Sequence, residues 1–260
     1  MTHLLIGLAA GFFGGLVGLG GGVIMIPLMV GILKVNQHTA HGTSLVALVC
    51  TGLMGASTYI YNGSVDFLAA ALLASTAIFT SRAGARYAGR LTDRKLKQFF
   101  NCLLIAVALL LLLKPFIYQF DGPASGWSKI VILLLCGVFT GFLSGLMGVG
   151  GGIIMVPAMA LLAGLPQTTA QGSSLLAMVP IGMVGAYTHW RSGNINVGLL
   201  PGLIPGILLG AFLGGTAAHL APEDTLRVIF AVVLVATSLK DLLSKTGPKP
   251  AAEPEKQKEL

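Results

Sequence analysis

The chain has 260 residues, 55% of them apolar and only 10% charged, with a mean hydropathy of +0.86 and a formal net charge of +7. Soluble domains carry about 25% charged residues, so this chain lacks the polar side chains to cover its apolar surface, and lipid is the expected solvent for most of it. Its basic residues cluster at the ends of apolar runs, which fits orientation in a membrane and argues against a nucleic-acid partner.

In chain order, nearly uncharged apolar segments run over residues 3–33, 42–60, 65–81 and 98–113, then over 130–164, 172–190, 195–218 and 226–239. Each is at or near the roughly 20 residues that a spanning helix needs. None shows the period-two alternation of a lipid-facing barrel strand. The expected fold class is an all-α integral membrane protein with about eight membrane segments.

The first segment is unusual. As one helix its roughly 31 residues would extend about 46 Å, well beyond a hydrocarbon core of about 30 Å, yet two crossings would need about 40 residues. Gly20, Gly21 and Gly22, with Pro27 close behind, predict a break into two short arms. Unwound backbone at membrane depth is tolerated only where protein buries it or a polar cavity adjoins it. The segment has no basic n-region and recurs later in the chain, so it reads as mature protein and not as a signal peptide.

Next comes HTAHGTSLVAL at 38–48. Thr43 and Ser44 open an apolar helix, where hydroxyls serve as caps or project into a cavity to bind a polar solute. His38 and His41 read as surface histidines of a short loop, with a proton relay as the rival role. Asp66 is the acidic residue at a span edge of the first half; an interface position is the plain reading and ion coupling the rival. The stretch 82–97 holds Arg82, Arg86, Arg90, Arg94, Lys95 and Lys97 against Asp93, which places it in the cytoplasm.

From Gly141 onward the chain repeats itself. GLVGLGGGVIMIPLM at 15–29 matches GLMGVGGGIIMVPAM at 145–159, an offset of 145 − 15 = 130 that holds without a gap from Gly11 to about Phe67. Roughly 25 of about 57 positions in that window are identical, which establishes duplication. Gly150, Gly151 and Gly152 break the second copy as their counterparts break the first, and Gln171, Ser173 and Ser174 stand where His41, Thr43 and Ser44 stand. The counterpart of the basic stretch, 212–227, holds Glu223 and Asp224 against Arg227. This opposite bias favours inverted halves, while parallel halves stay open if each broken segment counts as one crossing. Three units follow: a first membrane repeat at 1–120, a second at 121–243, and a polar, proline-containing tail at 244–260 expected to be disordered in the cytoplasm.

What chemistry fits these residues? GLGGG lacks the Lys-Ser/Thr of a phosphate-binding loop and follows no strand, so nucleotide binding is not expected. A helix arm that starts near Val23 or Ile153 instead points unpaired N–H groups and a positive dipole end inward, which suits an anion. Gly11, Gly15 and Gly18, with Gly141, Gly145 and Gly148, read as close helix packing. Cys50, Cys102 and Cys136 lie in apolar runs with no metal-ligand spacing. No carboxylate pair, metal cluster or nucleophile set occurs on the spans, so neither an enzyme nor a cofactor or metal is expected.

LVGLGGGVIMIPLM and LMGVGGGIIMVPAM, each followed by TAHGTSL or TAQGSSL, resemble the TauE/SafE family of membrane proteins, sulfite exporters and their relatives. The resemblance covers the chain to about residue 240. It implies duplicated halves, about eight membrane segments, and movement of small sulfur-containing anions such as sulfite or organosulfonates. The expectation is a secondary transporter of the bacterial inner membrane that exports such an anion down its gradient and the membrane potential. Gly20, Gly21, Gly22, Thr43, Ser44, Gly150, Gly151, Gly152, Gln171, Ser173 and Ser174 would line its site, with His41 and Asp66 as coupling candidates. The partners are then the anion and the bilayer, not nucleic acid, and a homodimer is compatible. An importer or channel for another small anion or neutral solute, an enzyme acting on a lipid phosphate, and a structural subunit are the alternatives.

Overall fold

The computed structural model describes residues 1–112 and 126–243. The tail at 244–260 and the expected boundary near residue 120 lie outside the described residues.

The described residues form helices and no strands. In chain order they are α1 (Thr2–Val17), α2 (Gly22–Gly31), α3 (Gln37–Tyr61), α4 (Phe67–Ala88) and α5 (Asp93–Leu112). Then follow α6 (Trp127–Met147), α7 (Gly152–Pro157, continued by a π-helical turn at Ala158–Leu162), α8 (Gln167–Arg191), α9 (Leu200–Ala218, preceded by a 3-10 turn at Val197–Leu199) and α10 (Glu223–Leu243). Gln37–Tyr61, Phe67–Ala88, Trp127–Met147 and Val197–Ala218 are each long and apolar enough to cross a membrane, so the protein is integral to one.

Local chemistry sets the helix ends. The Asn36 side chain accepts from the Thr39 N–H at 2.7 Å and starts α3, and Asp66 does the same for α4 through the Ala69 N–H at 2.9 Å. The basic stretch at 82–97 is mostly helix, not loop: α4 runs on to Ala88 and α5 begins at Asp93.

Packing pairs helices from opposite halves. α1 lies against α9, α4 against α6, α3 against α8, and α5 against α10. Glycines set the first two contacts. Gly7, Gly11 and Gly15 face the α9 backbone at Leu203, Ile207 and Ala211, and Gly137, Gly141 and Gly145 face the α4 backbone at Leu73, Ala77 and Ser81. Lipid supplies no hydrophobic drive between helices, so backbone-to-backbone approach over small residues holds such pairs together. Phe79, Phe139 and Phe212 point outward from mid-helix, while Tyr61, Trp127 and Trp190 are exposed near helix ends, where interfacial aromatics belong.

Candidate functional site: two glycine turns at the centre

The broken segments meet in the interior. α1 closes at Gly18 with φ 74°, and Gly20 and Gly21 follow at φ 74° and 79°. α6 closes at Gly148 with φ 66°, followed by Gly150 and Gly151 at 82° and 79°. Left-handed backbone costs any L residue about 1–2 kcal/mol, which is why glycine recurs at these positions. The turn folds α2 back against α1, since a Cβ on Gly21 would sit 2.6 Å from the Ala10 carbonyl oxygen. The counterpart on Gly151 would strike the Thr140 methyl group.

Both turns leave donors unused. Residues 14–23 and 144–153 are buried throughout. Among the described residues nothing accepts from the amide N–H groups of Gly20, Gly21, Gly22 and Val23, or from those of Gly150, Gly151, Gly152 and Ile153. Buried unpaired backbone donors are rare. Four in succession, twice, at helix N-termini, present the donors and positive dipole ends that suit an anion.

The carbonyls of Gly18 and Gly148, in contrast, are spoken for. Ser44 Oγ donates towards the carbonyls of Gly148 (2.6 Å) and His41 (2.7 Å). Ser174 Oγ donates to those of Gly18 (2.7 Å) and Gln171 (2.8 Å). Thr43 Oγ1 accepts the Asn196 N–H at 3.0 Å, and Ser173 Oγ accepts the Asp66 N–H at 2.8 Å. Each half thus holds the turn and the loop of the other. The capping role expected of Thr43 and Ser44 is overturned: α3 starts six residues before Thr43 (43 − 37), at Gln37. Their positions, at the end of the second turn and the start of the third, leave them free to reach across instead.

His41 also departs from expectation. It is 0% exposed within α3, not a surface loop histidine. Asp66 is a helix cap whose other carboxylate oxygen lies 3.4 Å from Lys129 Nζ. Arg82 and Arg191 are exposed, the latter ending α8.

The turns lie against each other under an apolar cover. A Cβ on Gly22 would approach the Gly148 carbonyl oxygen to 2.8 Å, and one on Gly152 the Leu19 Cα to 3.0 Å. Leu48 packs on Gly20 and Gly150, and Met178 on Gly20 and Gly152; both side chains are fully buried. A groove of about 440 Å³ opens between α3, α4 and α8, and one of about 360 Å³ beside Asp66 and Lys129; neither is lined by a turn glycine. The turns are enclosed in this conformation.

Several polar neighbours escaped the sequence reading. Tyr59 donates to the Gly15 carbonyl at 3.0 Å and lies 3.1 Å from Gln171 Oε1. Its counterpart His189 bonds the Gly145 carbonyl at 2.9 Å through Nε2. Gln171 Nε2, Gln167 Nε2, Thr140 Oγ1 and Ser144 Oγ are buried without partners. Leu48 and Met178 were also unremarked. One signal was available: 59 and 189, 37 and 167, and 48 and 178 are each separated by the repeat offset.

The chain is thus a helical membrane body with an enclosed set of polar backbone groups at its centre, and its relatives show the class, a membrane transporter. The sequence profile of the family described as "Sulfite exporter TauE/SafE" matches residues 3–241, and the chain belongs to that family. Among curated relatives, it is 28% identical over 223 residues to the probable membrane transporter protein YunE of Bacillus subtilis, covering 74% of this chain and 79% of that one. It is 26% identical to the probable membrane transporter protein MJ0441 of Methanocaldococcus jannaschii, over 74% of this chain and 72% of the relative. With YjnA of Bacillus subtilis, also a probable membrane transporter protein, the identity is 25% over 92% of this chain and 98% of the relative. No solved structure matches the chain.

Proposed function

We propose that the protein is a secondary transporter of the bacterial inner membrane that exports sulfite or a related small organosulfonate. Its two halves, 1–120 and 121–243, act as inverted repeats of about four membrane segments each, and their glycine turns bind the anion near the midplane. The observation that carries this reading is the double run of unpaired amides at Gly20–Val23 and Gly150–Ile153. A compact oxyanion offers several acceptors to such donors and draws on both helix dipoles. Ser44 and Ser174 serve the site by holding the turn carbonyls away, so that the amides alone face the solute. Thr43, Ser173 and Gln171 line the same region.

The enclosed turns are the occluded state of the cycle, and Leu48 with Met178 is the cover that must move for the anion to enter or leave. The membrane potential, negative inside, drives anion exit. Sulfite flux in proteoliposomes tests this: it should rise with an imposed potential and vanish when Gly21 and Gly151 are both changed to Leu. Flux that persists in the double variant, or ignores the potential, would refute the assignment.

A further inference from the structure

The end of α4 carries a stripe of exposed residues at helical spacing: Phe79, Arg82, Ala83, Arg86, Tyr87 and Arg90. Arg90 stands just past the helix, where Gly89 keeps helical angles (φ −62°, ψ −14°). The arginines recur every four residues, about 6 Å apart along the axis. Arg94 and Lys95, also exposed, open α5. Among the described residues none of these five cations has a carboxylate partner or a side-chain hydrogen bond. The carboxylate within the stretch, Asp93, lies 3.4 Å from His38 Nε2 instead.

Depth makes the stripe unusual. Arg82 lies 88 − 82 = 6 residues before the last residue of α4, about 9 Å down a helix long and apolar enough to span. Phe79, 79% exposed, lies one turn deeper on the same face. A guanidinium that faces acyl chains without a partner is costly, and it reaches out along its stem to the headgroups for an anion. The opposite face of the helix is committed to packing. Ser81, Gly84, Ala85 and Ala88 are buried there, with Ser81 and Gly84 against the α6 backbone at Gly145 and Phe142.

The second half supplies a control. At the repeat offset the same stripe of α9 reads Leu209, Phe212, Leu213, Thr216, Ala217 and Leu220, without a charge. Its inner face keeps Gly214 and Ala218 where α4 has Gly84 and Ala88, all of them buried. This kind of helix therefore packs without the arginines, and they answer to what lies outside the protein. Orientation alone asks for positive charge anywhere in the flank of a span. It does not ask for arginines on one face, interleaved with an exposed phenylalanine and tyrosine.

We propose that this face binds the phosphate groups of acidic phospholipids, phosphatidylglycerol being the simplest, in the leaflet at the basic end of α4. Guanidinium forks pair bidentately with phosphate oxygens, and arginines one turn apart share a headgroup. The acyl chains lie along Phe79, Ala83 and Tyr87. Arg94 and Lys95 add attraction from α5. A phosphate held here fixes α4 and, through the contacts at Gly145 and Phe142, steadies α6, the helix that ends in the second glycine turn. The proposal stands on the span of α4 and is independent of the anion reading.

The repeat also supplies the test. Arg82→Phe, Arg86→Thr and Arg90→Leu together install the residues of positions 212, 216 and 220. Native mass spectrometry of the solubilised protein, with equal phosphatidylglycerol and phosphatidylcholine added, counts the lipid that each form retains. The wild type should favour phosphatidylglycerol, and the triple variant should lose that preference at least about tenfold. Lys129→Ala, which removes a cation paired with Asp66 at the other end of α4, should leave it within about twofold. An unchanged preference in the triple variant, or an equal loss in Lys129→Ala, overturns the proposal. The unfolding temperature in detergent should rise with phosphatidylglycerol and not with inorganic phosphate; equal rises would assign the face to a soluble anion and overturn it too. A measurement on the wild type alone covers a variant that fails to fold. Phenylglyoxal should modify Arg82 and Arg86, relative to the exposed Arg191, several-fold more slowly in phosphatidylglycerol vesicles than in phosphatidylcholine vesicles, and equal relative rates refute the lipid site.

Discussion

The two glycine turns share a backbone and differ in company. Both pass through left-handed glycines, leave the same four amides unpaired and have their carbonyls held by a serine of the other half. Around the first stand Ala10, Gly14, Gln171 and Tyr59; around the second stand Thr140, Ser144, His41 and His189. The two halves keep the same main-chain geometry, which would let the proposed anion be held from both sides. The side chains have diverged, and the unpaired hydroxyls of Thr140 and Ser144 stand at the second turn. A shared backbone task and a divided side-chain task follow from one ancestral unit.

The largest expected effect breaks the cover common to both. Leu48→Ala removes a fully buried side chain that touches Gly20 and Gly150, at about 2–5 kcal/mol. Met178→Ala should fall in the same range, since Met178 touches Gly20 and Gly152. Thermal unfolding in detergent checks both, and a large inequality would mean that the cover is not shared.

The glycines themselves sharpen the contrast. Gly21→Ala and Gly151→Ala carry the same left-handed penalty of about 1–2 kcal/mol. Gly21→Ala also meets the rigid Ala10 carbonyl, whereas Gly151→Ala meets a methyl group of Thr140. Adding Thr140→Ala should therefore recover part of the stability lost in Gly151→Ala. The first turn, with Ala10 already in that place, offers no such rescue.

Ser44→Ala and Ser174→Ala probe the sameness again. Each strips a buried turn carbonyl of its side-chain donor, at about 1–3 kcal/mol. The two losses should agree within error, and sulfite affinity should fall in both. Asp66→Asn is the smallest change: the cap oxygen survives and only the partly exposed pair with Lys129 weakens, by about 0–1 kcal/mol.

Much of this contrast was legible in the sequence, because glycine triplets in an apolar run and a constant offset are local signals. The close-packing glycines were legible for the same reason: Gly11 and Gly15, Gly141 and Gly145 recur at helical spacing and do meet a neighbouring backbone. The identity of that neighbour was not. That α1 packs on α9 and α6 on α4 is a tertiary fact with no local trace. Thr43 and Ser44 looked like caps because the polar HTAHGTS stretch resembles a loop, while the true cap, Asn36, sits further back. The same displacement moved His41 from an expected surface loop into the core. Serine clamps that cross between halves, such as Ser44 to Gly148, need the folded chain to be seen at all.

The central claim is that the turn amides hold the anion, and NMR of protein labelled with nitrogen-15 glycine tests it most directly. On addition of sulfite, the amide signals of Gly20, Gly21, Gly22, Gly150, Gly151 and Gly152 should shift together and saturate with one affinity, while Gly63 and Gly193, glycines of the helix-connecting turns, stay still. Saturable sulfite binding that leaves those six amides unmoved would contradict the account.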